Sequence, residues 1–186
     1  GTLTSANTLT PIYNPSPSDV VNGSVTLTMT AEPIEPCTGP VVEQVTITLI
    51  SEPEAFAGNS KSICEGENVD LSDATWANGS SFTWSSSNSG TFIYNGANPG
   101  DVEYVPNIAD IDAGGTTLTL TVTGEDSCGS VTKTSQVPIS IYRVPEVYAG
   151  PENQILCEGA NSITDAQVDY AQSFQWSYSG DGTLTN

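Results

Sequence analysis

Four cysteines are the residues of this 186-residue chain with the most distinctive chemistry, and they recur at a regular spacing. Cys157 follows Cys64 by 93 residues, and Cys128 follows Cys37 by 91 residues. The chain contains no histidine, so no imidazole is present to activate a thiol or serine nucleophile or to bind a metal ion. Regularly spaced cysteines without histidine therefore indicate disulfides rather than a metal site.

Acidic side chains are the second chemical feature, because 22 acidic and 3 basic residues give the chain a net charge of −19 at pH 7. A surface this negative repels phosphate backbones and anionic lipid, so we expect no nucleic-acid binding. No apolar run approaches the roughly 18 residues that a membrane span needs, and we expect no membrane insertion. Paired carboxylates cannot be recognised from the spacing, so we also expect no enzyme activity.

Asp110 and Asp112 are the candidates for a calcium site, because calcium binds carboxylate and carbonyl oxygens. Asp19 is the equivalent of Asp110, 91 residues earlier in the chain. The alternative is that Asp110 caps a tight bend or a single helical turn. We favour the cap, since no loop carries dense and regularly spaced acids, and we expect no bound cofactor.

Tryptophan supplies the remaining candidates. Trp84 and Trp176 occupy equivalent positions on a predicted strand, and we expect both to pack in a core between two sheets. Trp76 lies in a stretch rich in Gly and Ser and has no tryptophan counterpart. It is a candidate for stacking on a sugar ring, but partial burial at one end of a domain is the interpretation that we favour.

The elements that position these residues are predicted to be strands. Apolar side chains alternate with Ser and Thr in several stretches, most clearly at 25–30 and 118–123. A period of two is typical of strands with one buried face, and no stretch keeps a helical period for more than about a turn. The sequence therefore predicts an all-β fold. In the middle of the chain we expect strands near 55–63, 67–73, 80–86, 91–94, 101–105, 116–123 and 131–143, with a tight bend before the sixth.

The sequence repeats itself with a period of about 92 residues. Phe-Thr-Trp at 82–84 returns as Phe-Gln-Trp at 174–176, and Tyr-Asn-Pro at 13–15 returns as Tyr-Val-Pro at 104–106. An alternative unit runs from one Gly-Thr-Leu or Gly-Thr-Phe to the next. We divide the chain into residues 1–52, the C-terminal half of one repeat; residues 53–144, a complete repeat; and residues 145–186, the N-terminal half of the next.

These boundaries place both ends of the chain in mid-domain, where half a sandwich cannot bury its core, so we expect a window from a longer tandem array. Seven short strands in about 92 residues, with a tryptophan on the third, predict an immunoglobulin-like β-sandwich. The link between units is short and contains Pro145, which stiffens it. We therefore expect the domains to stack as a semi-rigid rod.

Three motifs resemble those of polycystic-kidney-disease (PKD-like) repeats: Glu-Ala-Phe-Ala-Gly at 54–58, Cys-Glu-Gly-Glu-Asn-Val-Asp-Leu at 64–71, and Phe-Thr-Trp at 82–84. The variant with Ile-Cys-Glu-Gly at 63–66 and a second cysteine after the sixth predicted strand is similar to repeats of giant Bacteroidetes cell-surface adhesins of the SprB type. The resemblance covers the whole chain. The chain departs from the family after Ala-Gly-Pro, where Glu152 replaces the usual Asp, and at 58–60, where Gly-Asn-Ser replaces that motif.

The resemblance implies an extracellular filament at the cell surface, exported by the type IX secretion system and used in adhesion and gliding motility. Its implied partners are neighbouring repeats, the gliding and secretion machinery, and a surface polysaccharide or solid substratum. We therefore expect these repeats to act as structural spacers. The alternative is a carbohydrate-binding or spacer module of a secreted polysaccharide-degrading enzyme, in which Trp76 contacts the ligand.

The pairing of the cysteines has two competing hypotheses. One is a bond from Cys64 to Cys128 inside each domain. In an immunoglobulin-like order, however, these two connections lie at opposite ends, roughly 30 Å apart, whereas bridged cysteines have Cα atoms within about 7 Å. The other hypothesis is an inter-domain clasp, in which the cysteine between the first two predicted strands of one copy bonds to the cysteine between the last two predicted strands of the next copy.

Overall fold

Strand dominates the part of the chain that the computed structural model describes, which is residues 1–155, 159, 162–163, 165–181 and 183–184. This agrees with the predicted all-β fold. No helix in these ranges is long and apolar enough to cross a membrane. In chain order the elements are β1 (Thr2–Thr4), β2 (Ile12–Asn14), α1 (Pro17–Asn22), β3 (Ser24–Ala31), β4 (Val41–Thr48), β5 (Glu54–Phe56), β6 (Lys61–Cys64), β7 (Val69–Asp70), β8 (Thr75–Ala77), β9 (Gly79–Ser86), β10 (Thr91–Tyr94), β11 (Val102–Val105), α2 (Ile108–Asp112), β12 (Gly115–Gly124), β13 (Thr132–Tyr142), β14 (Glu146–Tyr148) and β15 (Gln167–Asp169).

Residues 53–144 form two larger sheets and a separate two-stranded sheet around one core. The larger sheet has the strand order β6-β13-β12-β9, the smaller has the order β10-β11-β7, and β5 pairs with β8. Along β12 the side chains are alternately buried and half-buried, as the period of two in the sequence predicts. The core consists of apolar side chains from both sheets: Ala57, Val69, Leu71, Ala74, Trp84, Val102, Tyr104, Leu118, Leu120, Val122, Val137, Ile139 and Ile141.

Two of the seven predicted strands differ from the structure: one is divided in two, and the one predicted near 67–73 is only the short β7, followed by β8, which was not predicted. The first is divided at Gly58, whose φ of +93° lies in the left-handed region that favours glycine. As a result, β5 pairs antiparallel with β8, whereas β6 pairs in parallel with β13. The second ends early because the Asp70 carboxylate accepts hydrogen bonds from the backbone N–H and the hydroxyl of Ser72, which turns the chain between β7 and the unpredicted β8.

The bend before β12 contains the short helix α2. Asn107 is its N-cap and accepts a hydrogen bond from the backbone N–H of Asp110, while the Asp110 carboxylate accepts one from the backbone N–H of Asn107. This reciprocal arrangement is a capping box. α1 begins with the same arrangement at Ser16 and Asp19. The acidic residues at these equivalent positions therefore have a local structural role, as in the cap interpretation.

The flanking segments repeat pairings of the central segment. β14 pairs with β15 through Val147 and Val168, and β5 pairs with β8 through Ala55 and Trp76, each partner being displaced by 92 residues. Likewise β3 pairs with β4 as β12 pairs with β13, and β1 pairs with β2 as β10 pairs with β11. Of the six strand pairings in residues 53–144, the described part of the N-terminal segment thus repeats two and that of the C-terminal segment repeats one.

Candidate functional site

A buried tyrosine connects the bend to the core. The Tyr104 hydroxyl donates a 2.8 Å hydrogen bond to Oδ2 of Asp110 and accepts one of 3.0 Å from the backbone N–H of Gly90. Asp110 is fully buried, and its Oδ1 atom has no hydrogen-bond partner among the described residues. Burial, with a contribution from the Asp110 carboxylate, raises the pKa of Tyr104 above the ordinary tyrosine value.

The equivalent contact in residues 1–52 is more exposed. The Tyr13 hydroxyl donates a 2.7 Å hydrogen bond to Oδ2 of Asp19, which also lies 2.6 Å from the N-terminal ammonium of Gly1. That ammonium and the Ser16 hydroxyl and backbone N–H hold the pKa of Asp19 far below its usual range. The hydrogen bond to Asp19 is the main cause that raises the pKa of Tyr13.

The two calcium candidates are directed to different partners. Asp110 contacts Tyr104 and Asn107, whereas Asp112 forms an ion pair with Arg143. Among the described residues no group of three or more Asp, Glu or Cys side chains is arranged to hold a metal ion. The chemistry available at this bend is therefore that of a helix cap and an ion pair.

The cysteines lie at opposite ends of the central segment. Cys64 ends β6 opposite Tyr142, the last residue of β13, whereas Cys128 precedes the start of β13. An 11-residue strand spans about 35 Å, which is far beyond the roughly 7 Å between the Cα atoms of bridged cysteines. Both thiols are free, as is that of the exposed Cys37 between β3 and β4. The fourth candidate, Cys157, lies outside the described residues.

The three tryptophans differ in their surroundings. Trp84 is only 7 % exposed, and its Nε1 donates to the carbonyl of Pro99. Trp76 is half-buried in β8, where its ring meets the edge of Phe82 at a centroid distance of 5.3 Å. Trp176, which we expected in a core, is instead 44 % exposed. The reason is that no described strand pairs with the residues around Trp176, whereas β12 pairs with β9 beside Trp84.

The junctions between segments carry two of the three basic side chains of the protein. Arg143 pairs with Asp112 of the central segment, and its guanidinium carbon lies 5.1 Å from the centre of the Tyr170 ring. Lys133 lies 3.8 Å from a carboxylate oxygen of Glu52. These contacts join residues 1–52 and residues 145–181 to the central segment. These contacts could not be predicted from the sequence, because nothing in the local pattern around Arg143 indicates Tyr170 as a partner.

Both flanking segments also have exposed apolar faces. One groove is lined by Val147, Phe174 and Trp176, and another by Leu27, Met29 and Val45. The equivalents of these residues in the central segment belong to its core or pack against it. No protein-family model, curated protein or solved structure matches this chain.

Proposed function

We propose that this chain is a structural segment of a tandem array of immunoglobulin-like, PKD-like repeats in a long extracellular adhesin. The observation that carries the proposal is the return of the same strand pairings after about 92 residues. The β5–β8 pairing returns as β14–β15, and the β12–β13 pairing is preceded by β3–β4. Repetition of one sandwich unit along a chain is typical of spacer arrays, whose units contact mainly their neighbours.

The junction contacts support a rod that resists bending. Arg143 contacts both Asp112 and Tyr170, so it holds the linker against the central segment and the segment that follows. Pro145 lies within this linker and restricts it further. Weak contacts of this kind act along every junction of an array, and together they favour an extended filament over a flexible chain.

Charge and chemistry also support a spacer rather than an enzyme. A net charge of −19 keeps closely spaced filaments apart in solution. The candidate residues that the sequence offered for chemistry have structural surroundings, since Trp76 packs against Phe82 and Asp110 caps a helix. The proposed partners are therefore neighbouring repeats and, through the parent filament, the gliding machinery and a polysaccharide or solid substratum.

Immunogold labelling of intact cells that make the protein tests this proposal. Antibodies raised against residues 53–144 are expected to decorate extended filaments at the cell surface without permeabilisation. Antibodies adsorbed with the same protein provide the control. Labelling that requires permeabilisation, or that marks a secreted polysaccharide-degrading enzyme of compact shape, would contradict the adhesin proposal and favour the accessory-module alternative.

A further inference from the structure

The strand β9 forms a free edge of the central segment. It pairs with β12 in the order β6-β13-β12-β9, and no described strand pairs with its other side. In this register the backbone N–H of Ser87 donates to the carbonyl of Thr117. Alternate residues of an antiparallel strand bond to the same neighbour, so Phe82, Trp84 and Ser86 direct their backbone N–H and C=O groups away from β12. The edge belongs to the complete central unit, so it does not depend on the flanking segments.

This edge lacks the features that commonly protect the edges of β-sheets, which are charged side chains, proline, bulges and short strands. The register with β12 shifts only at the start of β9, between Gly79 and Ser81. Residues 81–86 pair regularly, and none of them is charged or proline. By contrast, the other edge of the same sheet, β6, has 4 residues and includes Lys61. Of the two edges of the larger sheet, β9 is therefore the better template for a further strand.

A long uncharged segment contains β9. From Ala74 to Gly100, which includes β8, β9 and β10, the sequence has no Asp, Glu, Lys or Arg. The rings of Trp84 and Phe92 stack with centroids 6.1 Å apart, which places β10 beside β9 across the core. The opposite edges, β6 and β7, and the turn between them contain charged residues: Lys61, Glu65, Glu67 and Asp70. In a chain of net charge −19, the β9 side is therefore the one that a like-charged molecule approaches with least repulsion.

We propose that β9 of one copy of this chain pairs with β9 of a second copy, antiparallel and about a two-fold axis at Trp84. The two larger sheets then become one continuous sheet, in the manner of strand addition to an exposed edge. Phe82 lies opposite Ser86 of the second copy, and Thr83 lies opposite Ser85 of the second copy. This register brings the outward backbone groups of residues 82, 84 and 86 of both copies together, so that they bond to each other.

Charge and symmetry favour a second copy as the occupant of this edge. Two-fold pairing brings only uncharged residues together, and the exposed hydroxyl side chains of Ser81, Thr83 and Ser85 meet hydroxyl side chains of the second copy. A basic partner would gain more on the opposite side, where Glu65 and Glu67 lie. Because both copies use the same surface, the contact is closed and produces dimers rather than open chains.

The direction of the strands determines how two paired chains are oriented. Lys133 at the start of β13 contacts Glu52 before the central segment, and Arg143 in the following linker comes directly after the end of β13. β13 therefore runs from one junction to the next. β9 runs parallel to β13, because both are antiparallel to β12. Two chains paired through β9 thus run in opposite directions.

Filaments that project from two facing cells have this relative direction, so the contact fits homophilic association between cells. This step rests on the adhesin function proposed above, whereas the dimer itself does not. The equivalent positions in the next repeat, residues 171–178, also contain no charged residue. Antiparallel filaments of equal repeat length can therefore bring several such strands together, and linked weak contacts bind much more tightly than a single one.

Sedimentation equilibrium of the full 186-residue chain, over a range of protein and salt concentrations, measures the association. The expected result is a monomer–dimer equilibrium with a limit at twice the 19.4 kDa mass of the chain. Salt is expected to favour the dimer, because the Debye length falls from about 10 Å at 0.1 M to about 3 Å at 1 M. A chain that stays monomeric at millimolar concentration in high salt overturns the proposal, and a growing series of larger masses contradicts a closed two-fold contact.

Two threonines in one row across the larger sheet provide a matched pair of variants. Thr83 lies opposite Thr121 of β12, which lies opposite Thr134 of β13, and both Thr83 and Thr134 are exposed. Thr83→Glu places like charges close together across the axis and is expected to raise the dissociation constant about ten-fold. Thr134→Glu adds the same charge two strands from the edge and is expected to change it by less than about two-fold. Equal effects, or no effect of Thr83→Glu, would refute the assignment to β9.

Cysteine cross-linking tests the register, in a background in which serine replaces the native cysteines. A mixture of Thr83→Cys and Ser85→Cys chains is expected to form disulfide-linked dimers on mild oxidation, because these positions lie opposite each other in the proposed pairing. A mixture of Thr134→Cys and Ser85→Cys chains is the control. Cross-linking no greater than in this control, or equally efficient cross-linking of Thr83→Cys alone, would refute the register. Cooperative urea unfolding of every variant at the midpoint of the background chain excludes a general folding defect.

Discussion

A single hydroxyl group, that of Tyr104, connects the bend before β12 to the smaller sheet. It bonds both the fully buried Asp110 carboxylate and the backbone N–H of Gly90, which adjoins β10. When a buried carboxylate loses a hydrogen-bond donor, that hydrogen bond no longer offsets the free-energy cost of removing the carboxylate from water. Tyr104 therefore contributes to stability more through the hydrogen bonds of its hydroxyl to Asp110 and Gly90 than through the apolar area of its ring.

Tyr104→Phe is expected to lower the free energy of unfolding of the central segment by about 2 kcal/mol, because Asp110 loses a buried donor. Urea denaturation followed by tryptophan fluorescence measures the change. Tyr13→Phe is the matched control, since its acceptor Asp19 is part-exposed, and it is expected to change the same transition by less than about 0.5 kcal/mol. Equal effects of the two substitutions would contradict a special role for the buried site.

Trp76 is half-buried, so it packs against the interior of its domain and is also partly exposed at the surface. Its ring packs against Phe82 and against the core cluster, so Trp76→Ala is expected to destabilise the central segment by about 2 kcal/mol. If instead the variant keeps its stability and loses binding on a glycan array, the carbohydrate-binding alternative gains support. Phe82→Leu is a useful control, because it removes the ring contact but keeps an apolar side chain.

At the scale of elements, the division of the first strand depends on Asp73. Its carboxylate accepts hydrogen bonds from the backbone N–H of Asn59 and from the Lys61 ammonium, both at 2.8 Å. These contacts hold the segment after Gly58 against the loop before β8. The first predicted strand therefore contributes to two pairings: its first part, β5, pairs with β8, and its second part, β6, pairs with β13.

Stability is expected to depend on pH through Asp73. The Asn59 backbone N–H, with Lys61, lowers the pKa of Asp73 from 3.8 to about 2. Because the folded-state pKa is the lower one, this stabilisation is present above pH 4 and is lost as the pH falls through 2. After allowance for solvent screening, the contribution is about 1 kcal/mol.

Urea denaturation between pH 5 and pH 2 measures this contribution. Asp73→Asn is expected to flatten the dependence of unfolding free energy on pH across the interval from 4 to 2. Lys61→Met is expected to flatten it only in part, since the backbone N–H of Asn59 is the larger cause of the lowered pKa. An Asp73→Asn variant with an unchanged pH profile would rule out this carboxylate as the origin.

At the scale of the whole molecule, the positions of the cysteines bear on how units are joined. Cys64 lies at the end of the central segment where β13 stops, and Cys128 lies at the end where β13 starts. Each thiol is therefore placed near a junction rather than near the other thiol. This arrangement favours the inter-domain clasp over a bond within one domain.

Peptide mapping of the proposed parent array under non-reducing conditions is expected to find cysteines linked at a spacing near 156 residues. That spacing joins the cysteine between the first two strands of one unit to the cysteine between the last two strands of the next. The reduced and alkylated array provides the control. Bonds at a spacing near 64 residues, as from Cys64 to Cys128, would instead show that each domain is cross-linked internally.

Sequence alone was sufficient where the cause is local. The alternation at 118–123 predicted β12 and its buried face, because successive side chains of a strand point to opposite sides. The cap interpretation of Asp110 was also available from sequence, since a capping box involves residues three positions apart. The 92-residue period predicted the recurrence of pairings because similar local patterns form similar strands.

Tertiary structure decided the features that depend on partners distant in the chain. The different surroundings of Trp84 and Trp176 follow from whether a strand such as β12 lies beside them, and the similar motifs around the two residues cannot reveal that. The contact of Arg143 with Tyr170 and the switch of the first strand from β8 to β13 are of the same kind. Burial and pairing are properties of the assembled sandwich, because they arise only when separate strands come together.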